Sequence, residues 1–201
     1  MDVCRMAFRE SDLTRIRCLI EECDQRIAAQ ETLIERLSAG GHSTEQAENF
    51  LRTMLNLRAF QIQLRKDVER LLKIPGVGPL TATALRASVV DVQRFPSGRH
   101  FASWLGLTSR EHSSGERRRL GRISKQGDPY LRTLLIHGAR AVLLAARSAQ
   151  RRGSSLDRLR AWALDLQVRR GHNKAAVALA NKVARIVWAT WRFERDFSSN
   201  P

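Results

Sequence analysis

"LLKIPGVGPLTATALRA", Leu71–Ala87, is the stretch on which the fold turns. Leu71 and Leu72 close a long helical pattern, and a helix ends near Lys73. Pro75-Gly76-Val77-Gly78-Pro79 then makes a tight turn. Pro79 suits the first turn of the next helix, where its missing N–H has no intrahelical partner to lose. Gly76 and Gly78 permit positive φ and let another backbone come close. The N–H groups of the turn and of the following helix start face outward on this reading, as a ready anion site.

Upstream, apolar residues recur at heptad spacing: Leu13, Ile16, Ile20, Cys23, Ile27, Ile34 and Leu37, with one polar lapse at Gln30. Gly40 and Gly41 break the pattern. Ser43 and Gln46 have the spacing of a capping box, which predicts a helix start. A second stripe follows at Ala47, Phe50, Met54, Leu57, Gln61, Leu64, Val68 and Leu71. Residues 1–70 therefore read as an antiparallel helical hairpin, or coiled coil. It serves either as a two-helix support for the rest of the chain or as the seam of a homodimer or higher oligomer, because two helices alone bury little area.

Charge divides the chain at the same place. The 201 residues carry a formal net charge of +15. Residues 1–70 hold 11 Lys and Arg against 12 Asp and Glu, and the remaining 131 hold 24 against 8. A unit so basic implies a polyanionic partner, nucleic acid or anionic membrane. Apolar residues make up 43% of the chain, enough for a core, while aromatic residues at 6% are sparse for a strand-rich fold. Ala, Leu and Arg, all helix formers, dominate instead. Cys4, Cys18 and Cys23 show no metal-ligand or disulfide spacing. No apolar run is long enough to cross a bilayer, so a membrane partner is not expected. The bland location is a reducing cytoplasm.

The expected fold class is all-α. The helical hairpin of 1–70 precedes a basic helical domain at 71–201, whose residues 71–87 resemble the helix-hairpin-helix module. That module grips nucleic-acid phosphates through turn amides without reading sequence, so the resemblance implies DNA contacts at Gly76 and Gly78. Ser97 is a cap for a short apolar helix that Gly106 stops. Asp128-Pro129 is a cap and first-position pair that opens another helix. Between Gly106 and Asp128 the chain reads as an irregular basic loop, with Arg117, Arg118, Arg119, Arg122 and Lys125 close to Ser113 and Ser114. Taken alone, the two serines are a turn beside a phosphate-binding patch. Ser155 reads as the cap of a further helix, and Gly171 separates it from the last, with Asn173 available as a cap. Arg169, Arg170, His172 and Lys174 gather around that break as DNA-binding candidates.

Three blocks, "IPGVGPLTATAL", "FASWLGLTSREHSSGERRRLGRISKQGDPYLRTLLIHGARA" and "RRGHNKAAVALANKVARI", resemble in order the C-terminal half of the transposases of insertion-sequence family one-ten. The resemblance covers roughly residues 68 to 197. It implies DNA recombination by a nucleophilic serine. The Gly-Leu-Thr lead-in and the Ser-Gly step make Ser114 the matching residue, with Ser113 the alternative. It also implies an N-terminal ribonuclease-H-like half whose four acidic residues hold divalent metal. Residues 1–70 do not match that half, so the expected form is truncated or split, inactive alone, with no cofactor or metal of its own. The resemblance brings in as partners DNA, a guide RNA and a separate polypeptide carrying the acidic half, in a bacterial, nucleoid-associated setting. Two other readings stand beside it. One is a non-catalytic helix-hairpin-helix DNA-binding protein; the other is a helical interaction protein assembling through its hairpin.

Overall fold

The structure is a computed structural model and describes residues 3–114, 117 and 119–198, with the side chains of 3–13 outside the description. The side chains of Cys4 and Leu13, read above from the sequence, lie outside the described residues. The chain divides into two compact units that meet between Asp67 and Val68.

The first unit is a pair of long helices. Helix α1 runs Val3–Ala39 and α2 runs Glu45–Leu72. Gly41, at φ 71°, ends α1, and His42 N–H returns to the Leu37 carbonyl while Gly41 N–H returns to that of Ser38. This is the left-handed stop that glycine takes without strain. The cap of α2 is Thr44 and not Ser43: the Thr44 carbonyl accepts from Glu48 N–H and its hydroxyl donates to Glu48 Oε1 at 2.7 Å. On α1 the apolar stripe faces inward, with Ile20, Cys23 and Ile27 buried. Gln30, its polar lapse, donates to the Ala47 carbonyl at 3.0 Å. Cys23 reaches the Met54 carbonyl in the same antiparallel register.

Helix α2 keeps Ala47, Met54 and Gln61 of the stripe read from apolar periodicity and departs from it at Phe50 and Leu57. Its least exposed line is Ala47, Leu51, Met54, Arg58 and Gln61, while Phe50 and Leu57 are more than half exposed. Arg58 on this line pairs with Asp24 of α1. Leu19, Leu33, Phe50 and Leu57 each precede an inward-facing residue, so on an antiparallel pair they lie along one flank, and all four are exposed.

The second unit is helical around α7. Its elements are the end of α2, α3 (Pro79–Ser88), a short 3-10 turn at Val92–Arg94, α4 (Gly98–Trp104), α5 (Pro129–Arg151), α6 (Arg158–Arg170) and α7 (His172–Arg192). Helix α7 packs against α4, α5, α6 and the 3-10 turn. Its buried face is Ala175, Ala176, Leu179, Ala180, Val183, Ala184 and Val187. Small residues there let neighbouring helices approach closely, and each fully buried leucine contributes about 2 kcal/mol. Phe95, Phe101 and Trp104 cluster with ring centroids 5.1–5.9 Å apart, and Trp188 donates to the Phe95 carbonyl at 3.0 Å.

Asp128 caps α5 through Tyr130 and Leu131 N–H, and Ser97 caps α4. Asp157, not Ser155, caps α6, and α7 starts from Gly171 with no side-chain cap from Asn173. The turn at 73–78 is folded inward at Gly76, which is buried at φ 86° against Gly138 of α5. A methyl group on either glycine would run into the other's backbone.

The stretch between Gly106 and Asp128 is not an irregular loop. Strands β1 (Ser109–Glu111) and β2 (Leu120–Ile123) pair antiparallel, with Ser109 opposite Ile123 and Glu111 opposite Leu120. Both strands are exposed on both faces, so no hydrophobic alternation marks them.

Candidate nucleic-acid interface

The hairpin is held at its base and open at its tip. Gly106 at φ 70° and Gly127 at φ 117° bring the two ends of the excursion against the end of α4. A side chain on Gly127 would overlap the Trp104 carbonyl. Lys125 N–H donates to the Gly106 carbonyl at 3.2 Å, and Ser124 N–H donates to that of Thr108 at 2.8 Å. Arg132 of α5 and Asn181 of α7 donate to the carbonyls of Leu105 and Leu107. These bonds fix the hairpin against α4, α5 and α7. Lys125 itself sits at φ 56°, a conformation unusual for a side-chain-bearing residue.

At the tip, Ser114 and Arg117 exchange backbone hydrogen bonds of 3.3 and 3.2 Å. Arg118 lies outside the described residues. The two candidate serines differ. The Ser113 hydroxyl donates to Glu111 Oε1 at 2.7 Å and accepts from Arg119 N–H at 3.1 Å. It is tied into the hairpin, whereas the Ser114 side chain has no hydrogen-bond partner among the described residues. Arg117 and Arg119 are exposed beside them.

Below the tip, the hairpin, α4, α5, α6 and α7 enclose a cleft of 1390 Å³. Helical spacing explains which side chains line it. Trp162, Leu166 and Arg170 are i, i+4 and i+8 on α6, and Ile136 and Arg140 are i and i+4 on α5. On α7 the lining face runs through Lys174, Ala178, Lys182 and Arg185. The floor is apolar, with Leu107, Ile136, Trp162, Leu166 and Val177. Eight cations surround it: Arg99, Arg122, Lys125, Arg140, Arg170, Lys174, Lys182 and Arg185. Glu111 is the one carboxylate among the lining residues. None of the eight cations forms an ion pair among the described residues. Unpaired cations this dense are stable only in contact with water or a bound anion.

The structure thus brings Arg122, Lys125, Arg170 and Lys174 together in one cleft. It leaves Arg117 and Arg119 at the hairpin tip, and His172 exposed at the start of α7. Arg169 is bound to Asp165 on its own helix at 2.6 Å. Gly78 is half-buried with open space on its Cα, and Gly76 is closed off by α5. Arg99, Arg140, Lys182 and Arg185 were not legible as site residues. They come from three helices, and only the repeat at Lys174, Lys182 and Arg185 on α7 hinted at a shared face.

Among the described residues, no three His, Cys, Asp or Glu side chains come together as metal ligands, and no helix is long and apolar enough to cross a membrane. Residues 68–154 match the family described as Transposase IS116/IS110/IS902. A protein of Pseudomonas aeruginosa named "Probable family 20 transposase" is 50% identical over 134 residues, covering 66% of this chain and 38% of the relative. The transposase for insertion sequence element IS1111A of Coxiella burnetii is 47% identical over 124 residues, covering 62% and 32%. The transposase for insertion sequence element IS1328 of Yersinia enterocolitica is 37% identical over 148 residues, covering 74% and 41%. The chain therefore spans well under half the length of these relatives.

Proposed function

We propose, for a chain whose residues 68–154 belong to the Transposase IS116/IS110/IS902 family, that the basic unit is the DNA-handling and serine-bearing part of a transposase. The observation that carries this reading is the cleft, with eight unpaired cations around an apolar floor and a single carboxylate. Phosphate is the anion that such a site takes from nucleic acid, and guanidinium groups bind it bidentately.

Ser114 is the proposed nucleophile. Its hydroxyl has no hydrogen-bond partner among the described residues, whereas that of Ser113 is engaged with Glu111. In the step, Ser114 Oγ attacks phosphorus, an Oγ–P bond forms and the P–O3′ bond breaks. The hydroxyl proton leaves with the 3′-oxygen, which becomes a 3′-hydroxyl. Ester replaces ester, so rejoining needs no nucleotide cofactor. A serine is a weak nucleophile and needs its charge development offset. Arg117 and Arg119 beside it are the cations proposed for that role, with Arg118 carried on the sequence alone. Arg122, Lys125, Arg170 and Lys174 hold flanking phosphates in the cleft, and Gly78, Arg169 and His172 are outer contacts. Gly76 is retained only as the residue that seats its turn. The divalent metal implied by the family resemblance has no ligand set among the described residues, and no step here passes through it. A guide RNA and a separate acidic-half polypeptide are proposed as partners on the same resemblance, and a nucleoid-associated location follows from the DNA reading.

For the hairpin, the proposed partner is a second copy. Leu19, Leu33, Phe50 and Leu57 form one exposed apolar flank at heptad spacing, which a matching flank would cover.

DNA binding titrated against salt tests the main reading. Affinity should fall steeply, with log K linear in log salt. Absence of binding at low salt would sink it. A covalent adduct on denaturing gels, formed with element-end DNA and the partner half supplied, should vanish in Ser114→Ala. An adduct that survives refutes the nucleophile. Salt-sensitive binding with no adduct under any supplement favours the non-catalytic DNA-binding protein.

A further inference from the structure

We infer that the cleft holds a single strand of nucleic acid, with phosphates on its cations and bases against the apolar floor at Trp162. This rests on the nucleic-acid reading above and adds the form of the ligand.

Three observations carry it. First, Leu107, Ile136, Trp162, Leu166 and Val177 in the lining are buried or half-buried and form the floor, while every lining cation but Lys182 is exposed. A duplex shows its phosphates and sugars outward and keeps its base faces stacked inside, so it satisfies the cations and leaves the floor uncovered. A single strand offers both phosphates and free base faces, and proteins that bind it combine a basic groove with an aromatic stacking surface. Secondly, the volume of 1390 Å³ exceeds the roughly 300–1,000 Å³ of small-molecule sites, which suits a segment of polymer. Thirdly, the Lys182 ammonium lies 4.2 Å from the centroid of the half-buried Trp162 ring. Lys182 has no carboxylate partner among the described residues, so the ring is its one strong attraction. An arriving phosphate draws the ammonium off, and the ring face it leaves becomes available to a base. The ligand thus exposes its own stacking surface.

An acidic amphipathic helix is the rival occupant. Such a helix packs its apolar stripe on a floor and carries its charge on the opposite side. Here cations stand on the hairpin side, at Arg122 and Lys125, and on the helix side, at Arg140, Lys174, Lys182 and Arg185. A strand charged at every nucleotide reaches both sides.

The test uses the full chain and two labelled probes read by fluorescence anisotropy. One is a 12-nucleotide single strand, the other the same sequence as a blunt duplex. Trp162→Leu keeps an apolar side chain and removes the ring. It should weaken strand binding about tenfold, the size of one lost base–aromatic stack, and change duplex binding less than twofold. Equal loss on both probes, or loss on neither, overturns the inference while leaving the DNA-binding reading intact. Failure of the unaltered chain to bind either probe at low salt overturns that reading instead. Displacement of the strand by poly-glutamate at equal charge also overturns the inference, because charge alone would then fill the cleft. Should Trp162→Leu fail to fold, Trp162→Phe supplies the second test. Strand binding should quench tryptophan emission in the unaltered chain and much less in Trp162→Phe, and an undiminished quench overturns the inference.

Discussion

The helix pair of the first unit and the cleft of the second treat charge in opposite ways. In the helix pair, acid and base are nearly balanced, and Arg58 meets Asp24 across the two helices. In the second unit, eight cations face one cleft with no ion pair among the described residues. Pairing within a fold satisfies a charge and hides it from outside partners. Cations left unpaired around a concave surface are a standing demand for an external anion. The proposed nucleic-acid site follows from where the charge is left open, more than from where it is abundant.

The largest blow to this contrast should come from the base of the hairpin. Gly127→Ala drives a methyl group into the Trp104 carbonyl at a φ of 117°. It should cost the second unit about 3 kcal/mol, read as a lower urea midpoint. The helical signal of the first unit should persist through that transition, and a single joint transition would break the description of two units. Next in size, Arg140→Ala with Arg185→Ala should weaken duplex binding about tenfold. The salt slope should flatten by about 2, one unit for each phosphate no longer neutralised. An unchanged slope would place the DNA elsewhere. In the first unit, Leu57→Glu puts a charge on the exposed flank. Sedimentation should show a shift to monomer with helicity retained, and a monomeric unaltered chain would remove the proposed second copy. The smallest effect is expected at the internal pair. Asp24→Asn should cost about 0.5 kcal/mol, because both side chains are more than two-fifths exposed and water screens them.

Legibility differed in the same way between regions. The α1 stripe was readable because its inner face is apolar nearly throughout, and Gln30 even marks where a side chain crosses to Ala47. The α2 face was misread at two positions, because its inner line carries Arg58 and apolar periodicity selected the exposed Phe50 and Leu57 in place of Leu51 and Arg58. Caps were legible where a lone acid precedes proline, as at Asp128. They were not where two candidates stand close, as with Ser43 and Thr44 or Ser155 and Asp157. The β-hairpin left no alternating trace because neither of its faces is buried. The basic loop stood out by its charge, yet five of the cleft's eight cations come from α4, α5 and α7, which only tertiary folding brings beside it.

The contact of Gly76 with Gly138 has a consequence for how this chain can drift. In most packed pairs, a larger residue on one side can be offset by a smaller one on the other. Here both partners are already glycine, and a Cβ on either meets the other's main-chain atoms, with Val142 Cγ2 a further neighbour of Gly76. No second change within the pair can undo the first. Variation at this joint is therefore closed in both directions, and any substitution tolerated there must be rescued by movement of α5 or of the turn as a whole.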